Sequence, residues 1–187
     1  MEAFGRPGYS STVQFASVYR QDVPELERLS VDHAEAVLDF ELTNRAYFAA
    51  SISDRDDEFF EHFAEQYRAL LAEQQAGGAA FHVLVAGDGS VLGRFYLLFD
   101  DDASARLGYR VAQQAARRGL ATATVCELRR LAAAQYGLRR VRAAVSDQNA
   151  PSRRILTKIG FVPIGPADPS DLGGKPGTWY QRVLADE

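Results

Sequence analysis

Through the middle of the chain, apolar residues keep the short period of extended backbone. Ala80 to Ala86 and Val91 to Phe99 alternate or run apolar with β-branched and aromatic residues. Joined across Gly87-Asp88-Gly89-Ser90, they predict a hairpin. A third strand is expected from Ala105 to Val111, after the acidic turn Asp100-Asp101-Asp102. Before the hairpin, Glu25 to Leu29 reads as a first strand, and Asp32-x-x-Glu35 is a capping-box-like helix start. Ala34, Val37, Leu38 and Leu42 then fall on one helical face. Ile52 to Gly78 is a second helical region, with Phe59, Phe60, Phe63, Tyr67, Leu70 and Leu71 on its apolar side.

After the hairpin, Gly119 to Tyr136 predicts a helix that buries Ala123, Val125, Leu128, Leu131 and Ala132. Arg140 to Val145 is a strand, and a short helix opens with Asn149 or Ala150 as cap, has Pro151 in its first turn and closes at Gly160. The glycines and prolines of Val162 to Gly177 predict a mobile loop, and Thr178 to Leu184 a final strand. Residues 1–20 have little periodicity and read as a loosely structured arm, with one short strand at Val13 to Val18. The class implied is α/β (α+β): a mixed, mostly antiparallel central sheet flanked by helices, in one domain spanning residues 1–187.

Composition narrows the setting. A chain of 187 residues, 47% hydrophobic, can bury one sizeable core. Cys126 is the only cysteine, so no disulfide framework or cysteine-based metal cluster is expected, as in a reducing interior. There is no basic region followed by an apolar run at the start, nor any apolar stretch approaching roughly 18 residues. The expectation is a cytoplasmic protein without a membrane partner. No calcium-type acidic loop follows Asp100, and no metal is expected.

Net charge is −4, unevenly distributed. From Ala105 to Arg154 eleven arginines face two acids, Glu127 and Asp147, so that segment is +9 and the remainder −13. The basic segment suits an anionic ligand. Nucleic acid is disfavoured, because the arginines occupy helix faces without interleaved aromatics and the whole chain is acidic.

Within that segment, Arg117-Arg118-Gly119-Leu120-Ala121-Thr122 sits where a helix begins, so backbone N–H groups without intrahelical partners converge there. Such a turn binds phosphate. Taken with Asn149-x-x-Ser152-x-x-x-Leu156-x-Lys158-x-Gly160-Phe161, it resembles the acetyl-CoA core of the GNAT acyltransferases. Within that superfamily the chain is most similar to the ribosomal-protein alanine N-acetyltransferase branch, chiefly from Gly93 to Phe161. The family turn usually reads Val-x-Pro-x-x-Gln-Gly-Arg-Gly-x-Ala; here Gln113 stands for the proline, Ala116 for the glutamine and Arg117 for the first glycine. A glycine-favouring position that needs positive φ would cost Arg117 about 1 kcal/mol or more.

The resemblance implies acetyl-CoA as co-substrate, its pantetheine arm inserted between splayed strands beside Tyr109-Arg110-Val111. Val111, Arg117, Arg118, Gly119, Leu120, Ala121, Thr122, Asn149 and Ser152 become the cofactor-binding candidates. It further implies attack of a neutral amine, from a peptide N-terminus or a small molecule, directly on the thioester carbonyl. Val111 N–H is the candidate oxyanion donor and Ser152 the candidate proton donor to the thiolate, the alternative for Ser152 being a hydroxyl that satisfies its own helix turn. Related enzymes often carry a glutamate on the strand before Gly-Tyr; here that position is Arg106, leaving Glu41 and Tyr109 as stand-in bases. Phe40 to Arg45 matches the family's substrate-facing first helices. Acids from Asp54 to Glu65 read partly as helix-start partners and partly as an entrance for a cationic amine. His33 beside a helix cap reads as a surface residue, and Cys126 as core packing. Two functions stay open: an N-acetyltransferase, or an acyl-CoA-binding module without turnover. A homodimer is also left open.

Overall fold

The computed structural model describes residues 23–50, 52 and 54–184, so the expected arm at 1–20 and its strand at Val13 to Val18 lie outside the described residues. Among the described residues, seven strands form one sheet: β1 (Glu25–Arg28), β2 (Ala79–Val85), β3 (Val91–Asp100), β4 (Ser104–Val111), β5 (Arg140–Ser146), β6 (Val162–Ala167) and β7 (Gly177–Val183). Their order is β1-β2-β3-β4-β5-β7-β6. Every neighbouring pair is antiparallel except β4 and β5, which run parallel because a helical crossover joins them.

Among the described residues, six α-helices accompany the sheet: α1 (Ala34–Thr43), α2 (Arg45–Ala49), α3 (Asp57–Glu61), α4 (Phe63–Ala76), α5 (Leu120–Ala134) and α6 (Ala150–Lys158). Strand alternation sorts side chains between the two layers. Phe99 on β3 meets Tyr136, just past α5, at 5.2 Å between ring centroids, and Tyr109 on β4 meets Ser152 of α6. Arg94 and Arg110, of opposite parity, meet Glu41 of α1. Phe95, Leu97, Leu128, Leu156, Val37 and Val83 are among the largest fully buried side chains, and they fill both layers. The Gln74 side chain staples α4 to the sheet: it donates to Leu29 O at 2.9 Å and accepts from Phe81 N at 3.0 Å.

Two expectations change. The helical region from Ile52 is two helices, because Asp56 caps α3 by accepting from Phe59 N at 2.9 Å and the chain turns at His62 before α4 begins. The expected mobile loop, Val162 to Gly177, instead contains strand β6 and a 3-10 turn at Pro169–Leu172. β6 lies at the sheet edge and pairs only with β7, with a register shift between Pro163 and Gly165. An edge strand tolerates prolines because it has one row of N–H groups that needs no partner. His33 is half-buried, its ring bridging Ser30 and Glu27.

Candidate active site

β4 and β5 separate soon after they pair. Their register covers only Ser104↔Arg140, Ala105↔Val141 and Arg106↔Arg142, so Leu107–Val111 and Ala143–Ser146 face each other across a gap. Ala112 donates its N–H to Leu92 O at 2.9 Å on the β3 side. By alternation, the N–H groups of Tyr109 and Val111 point to the other edge of β4, into the gap. The paired end is fastened by charge: Arg142 donates to Ser104 Oγ at 2.6 Å, and Arg140 pairs with Asp102 at 2.9 Å. A hydrogen bond from the Ser104 hydroxyl, then the two arginines, hold the Asp102 carboxyl below the usual carboxylate range. Beside the gap, a Cβ on Gly108 would lie 2.1 Å from the end of the Tyr96 ring, so a side chain there has to displace that partly exposed ring.

Past β4 the chain makes the predicted turn. Gly119 is the N-cap of α5 at φ 78°, and Ala123 N–H donates to its carbonyl at 3.0 Å. The N–H groups of Leu120, Ala121 and Thr122 therefore precede the first intrahelical bond and lead the helix. No atom lies within 4 Å of a Cβ built on Gly119, so this glycine answers to its φ and not to crowding. Arg117 adopts φ 62°, the positive value expected of a glycine-favouring position. The missing proline also has a structural counterpart. Gln113 keeps an N–H that proline lacks, and donates it at 2.9 Å to the side chain of buried Asn44 at the end of α1.

Across the gap, Asn149 caps α6 by accepting from Ser152 N at 3.1 Å. The Ser152 hydroxyl lies 2.9 Å from Tyr109 Oη. It engages the phenol of Tyr109 across the gap. Burial pushes the Tyr109 phenol above its ordinary pKa and the Ser152 hydrogen bond offsets part of that rise. Tyr109 is thus protonated at neutral pH, which suits a proton donor and opposes its expected use as a base. Phe95 stacks on its ring at 5.8 Å and 19°, fixing it in place.

The cleft around this gap encloses about 610 Å³ and is lined by Tyr109, Ser146, Asn149 and Ser152 on one side and by Glu41, Arg55, Arg94 and Arg110 on another. Glu41 is 1% exposed and surrounded by guanidinium groups: Arg94 at 2.5 Å, Arg110 at 3.1 Å and Arg55 at 3.3 Å. Both carboxylate oxygens are engaged, so the expected role of Glu41 as a stand-in base does not fit its placement. Its role is charge compensation. Arg106, in the family's glutamate position, pairs with Asp100 at 3.6 Å.

Three of the acids expected to form an entrance for a cationic amine are engaged elsewhere. Asp54 and Asp57 pair with Arg45 at 3.1 and 2.7 Å, and Asp56 is the α3 cap. None of the carboxylates from Asp54 to Glu65 lines the cleft. A residue that sequence reasoning missed is His82, which lines the cleft, is 5% exposed and has no hydrogen-bond partner for Nδ1. Burial pushes its pKa down to about 4, so it is neutral. Among the described residues no helix is long and apolar enough to cross a membrane, and no group of three or more His, Cys, Asp or Glu could hold a metal ion.

Comparison with solved structures finds the same fold in acetyltransferases. A ribosomal-protein-S5-alanine acetyltransferase from Vibrio fischeri superposes with a TM-score of 0.78 at 18% identity, over 88% of this chain and 98% of that one. RimJ of Mycobacterium smegmatis, in complex with CoA-disulfide, gives 0.75 at 22% identity over 87% and 83%. Spermidine N-acetyltransferase from Vibrio cholerae, in complex with CoA and spermine, gives 0.70 at 14% over 86% and 95%. No curated protein sequence matches the chain. The model of the acetyltransferase (GNAT) domain matches residues 25–162, the stretch that carries the sheet's splay, the α5 turn and the Tyr109–Ser152 pair, and the chain therefore belongs to the GNAT acetyltransferase family.

Proposed function

We propose that the protein is an acetyl-CoA-dependent N-acetyltransferase that acts on a primary amine by direct transfer. The observation that carries this reading is the Tyr109–Ser152 hydrogen bond, two hydroxyls meeting at 2.9 Å across the mouth of the β4–β5 gap. Acetyl-CoA supplies a thioester carbonyl. In the proposed arrangement the N–H groups of Leu120, Ala121 and Thr122 take the pyrophosphate, and Gly119 leaves their approach unobstructed. Tyr109 and Val111 hydrogen-bond the pantetheine arm through backbone left unpaired by the splay, as an added strand would. Val111 N–H donates to the developing oxyanion. Ser152, hydrogen-bonded to a protonated Tyr109, gives its proton to the departing thiolate and recovers one from the phenol, which takes its own back from the water that accepts the amine proton. The attacking amine loses its proton to water, since Glu41 is enclosed by arginines.

That enclosure is also the observation that favours the second reading, an acyl-CoA-binding module without turnover. A thiol-release assay with acetyl-CoA across amines, amino acids and short peptides separates the two. Turnover with any amine supports transfer. Micromolar acetyl-CoA binding with no release above the amine-free rate would sink it.

A further inference from the structure

Around Glu41 the cleft contains more positive charge than the protein neutralises. Arg94 and Arg110 are direct cross-strand partners on β3 and β4, an arrangement that like charges disfavour. Arg55 joins them, and one carboxylate serves all three guanidiniums. The remaining acids that line the cleft, Glu73 and Asp171, form no ion pair with the three arginines among the described residues, and Arg106 has its own partner in Asp100. Each guanidinium is a fork of several N–H donors. Arg94 and Arg110 each give one to Glu41; Arg55 gives none in hydrogen-bonding geometry, its buried Nε lying 3.3 Å from Glu41 Oε2 but out of alignment.

These groups are held in place as well as charged. The Arg55 guanidinium lies 3.9 Å from the Phe59 ring centroid, and that of Arg110 lies 5.4 Å from the Phe48 ring centroid. Their side chains retain between 14% and 26% exposure, and all three line the cleft. Preorganised, partly desolvated guanidiniums with free N–H groups form a receptor for a planar oxyanion. A cationic polyamine would meet repulsion at the same place.

Resting on the transferase reading above, we propose that the acceptor is an amine that carries a carboxylate, and that Arg55, Arg94 and Arg110 bind that carboxylate while the amine faces the Tyr109–Ser152 pair. The carboxylate can belong to a free α-amino acid or to an acidic side chain next to a peptide N-terminus. The chemistry is the same, and two arms of one experiment tell the sources apart.

The experiment compares acceptors that differ only in carboxylate against carboxamide: a free amino acid against its amide, and amidated alanyl-aspartate against amidated alanyl-asparagine, with spermidine as the cationic extreme. Wild-type kcat/KM is expected to favour the carboxylate at least tenfold in one arm. In Arg55→Gln, chosen because Arg55 gives Glu41 no aligned hydrogen bond, the ratio should fall below about threefold, and Arg55→Lys should retain part of it. A ratio near one in both arms, or a preference for spermidine, overturns the proposal. Calorimetry of the CoA-loaded protein with the N-acetylated members of each pair gives the same test without turnover. Tighter binding of the carboxylate with no thiol release from any acceptor would keep the anion site and reject the transferase. Turnover without preference would do the reverse.

Discussion

Replacing Glu41 by glutamine separates charge compensation from catalysis. The substitution keeps shape and removes the counter-charge from three guanidiniums that lie 2.5, 3.1 and 3.3 Å away. Breaking a buried ion pair by removing one partner typically costs about 3–5 kcal/mol, because the other charge remains uncompensated. Here the stranded charges are side chains of 14–26% exposure, so water and counter-ions reach them and the low end applies, about 3 kcal/mol. For a chain of this size that lowers Tm by roughly 6–12 °C. Thermal unfolding by circular dichroism at low salt measures it. Added sulfate should restore part of the loss, since an anion can take the vacant position. If Glu41→Gln keeps the wild-type Tm yet abolishes turnover with every accepted amine, the reasoning is refuted and Glu41 is the base after all.

Other substitutions test the remaining parts of the site. Asp and Asn both tolerate the positive φ of position 119, so Gly119→Asn against Gly119→Asp isolates charge: the aspartate should weaken acetyl-CoA binding at least about tenfold relative to asparagine, less so at high salt, by calorimetry. Ser152→Ala should lower kcat with little change in the dissociation constant of acetyl-CoA; equal losses in both would make Ser152 a binding contact only. His82 has a folded pKa near 4 against an ordinary 6.5, so its contribution is complete above pH 6.5 and is lost as pH falls toward 4. Urea unfolding at pH 4.5 and pH 7 should differ by about 2–3 kcal/mol more in wild type than in His82→Asn, and equal slopes would mean that the imidazole is not buried neutral.

Much of the fold was legible because alternation and helical periodicity act over a few residues. The hairpin, the third strand and the α5 and α6 helices fell close to their expected bounds. Local chemistry also revealed strain: Arg117 in a glycine-favouring position foretold its φ of 62°. β6 was not legible, because glycine and proline signal a turn unless the strand is at an edge, and edge position is a property of the whole sheet. The surroundings of Glu41 were hidden for the same reason. Arg94 and Arg110 lie 53 and 69 residues away, and nothing in either local sequence marks them as partners of one carboxylate. Gln113 looked like a mere departure from proline until its N–H found Asn44, also 69 residues distant. Ser152 and Tyr109, 43 residues apart, were singled out separately through resemblance, and only the strand splay brings them to 2.9 Å.

The +9 of residues 105–154 gives the sharpest case of a sequence count that required the structure to interpret. Read as a sum, it suggested a basic half directed at coenzyme A, with the acids gathered at an opposite mouth. In the structure five of those eleven arginines are paired within the protein. Arg106 and Arg142 meet Asp100, Arg140 meets Asp102, Arg110 meets Glu41 and Arg130 meets Glu127. Of the acids near the start of α3, Asp54 and Asp57 are likewise engaged, by Arg45. What remains at the α5 turn is Arg117 and Arg118, both exposed, beside amides that need no side-chain charge to hold a phosphate. The charge surplus that does face the cleft lies instead around Glu41. It is produced by Arg55 and Arg94, which belong to the half whose sum is −13, acting together with Arg110. Electrostatic selection at this site is therefore set by the ratio of three guanidiniums to one carboxylate over a few ångströms, a scale within the Debye length, and not by the segment totals.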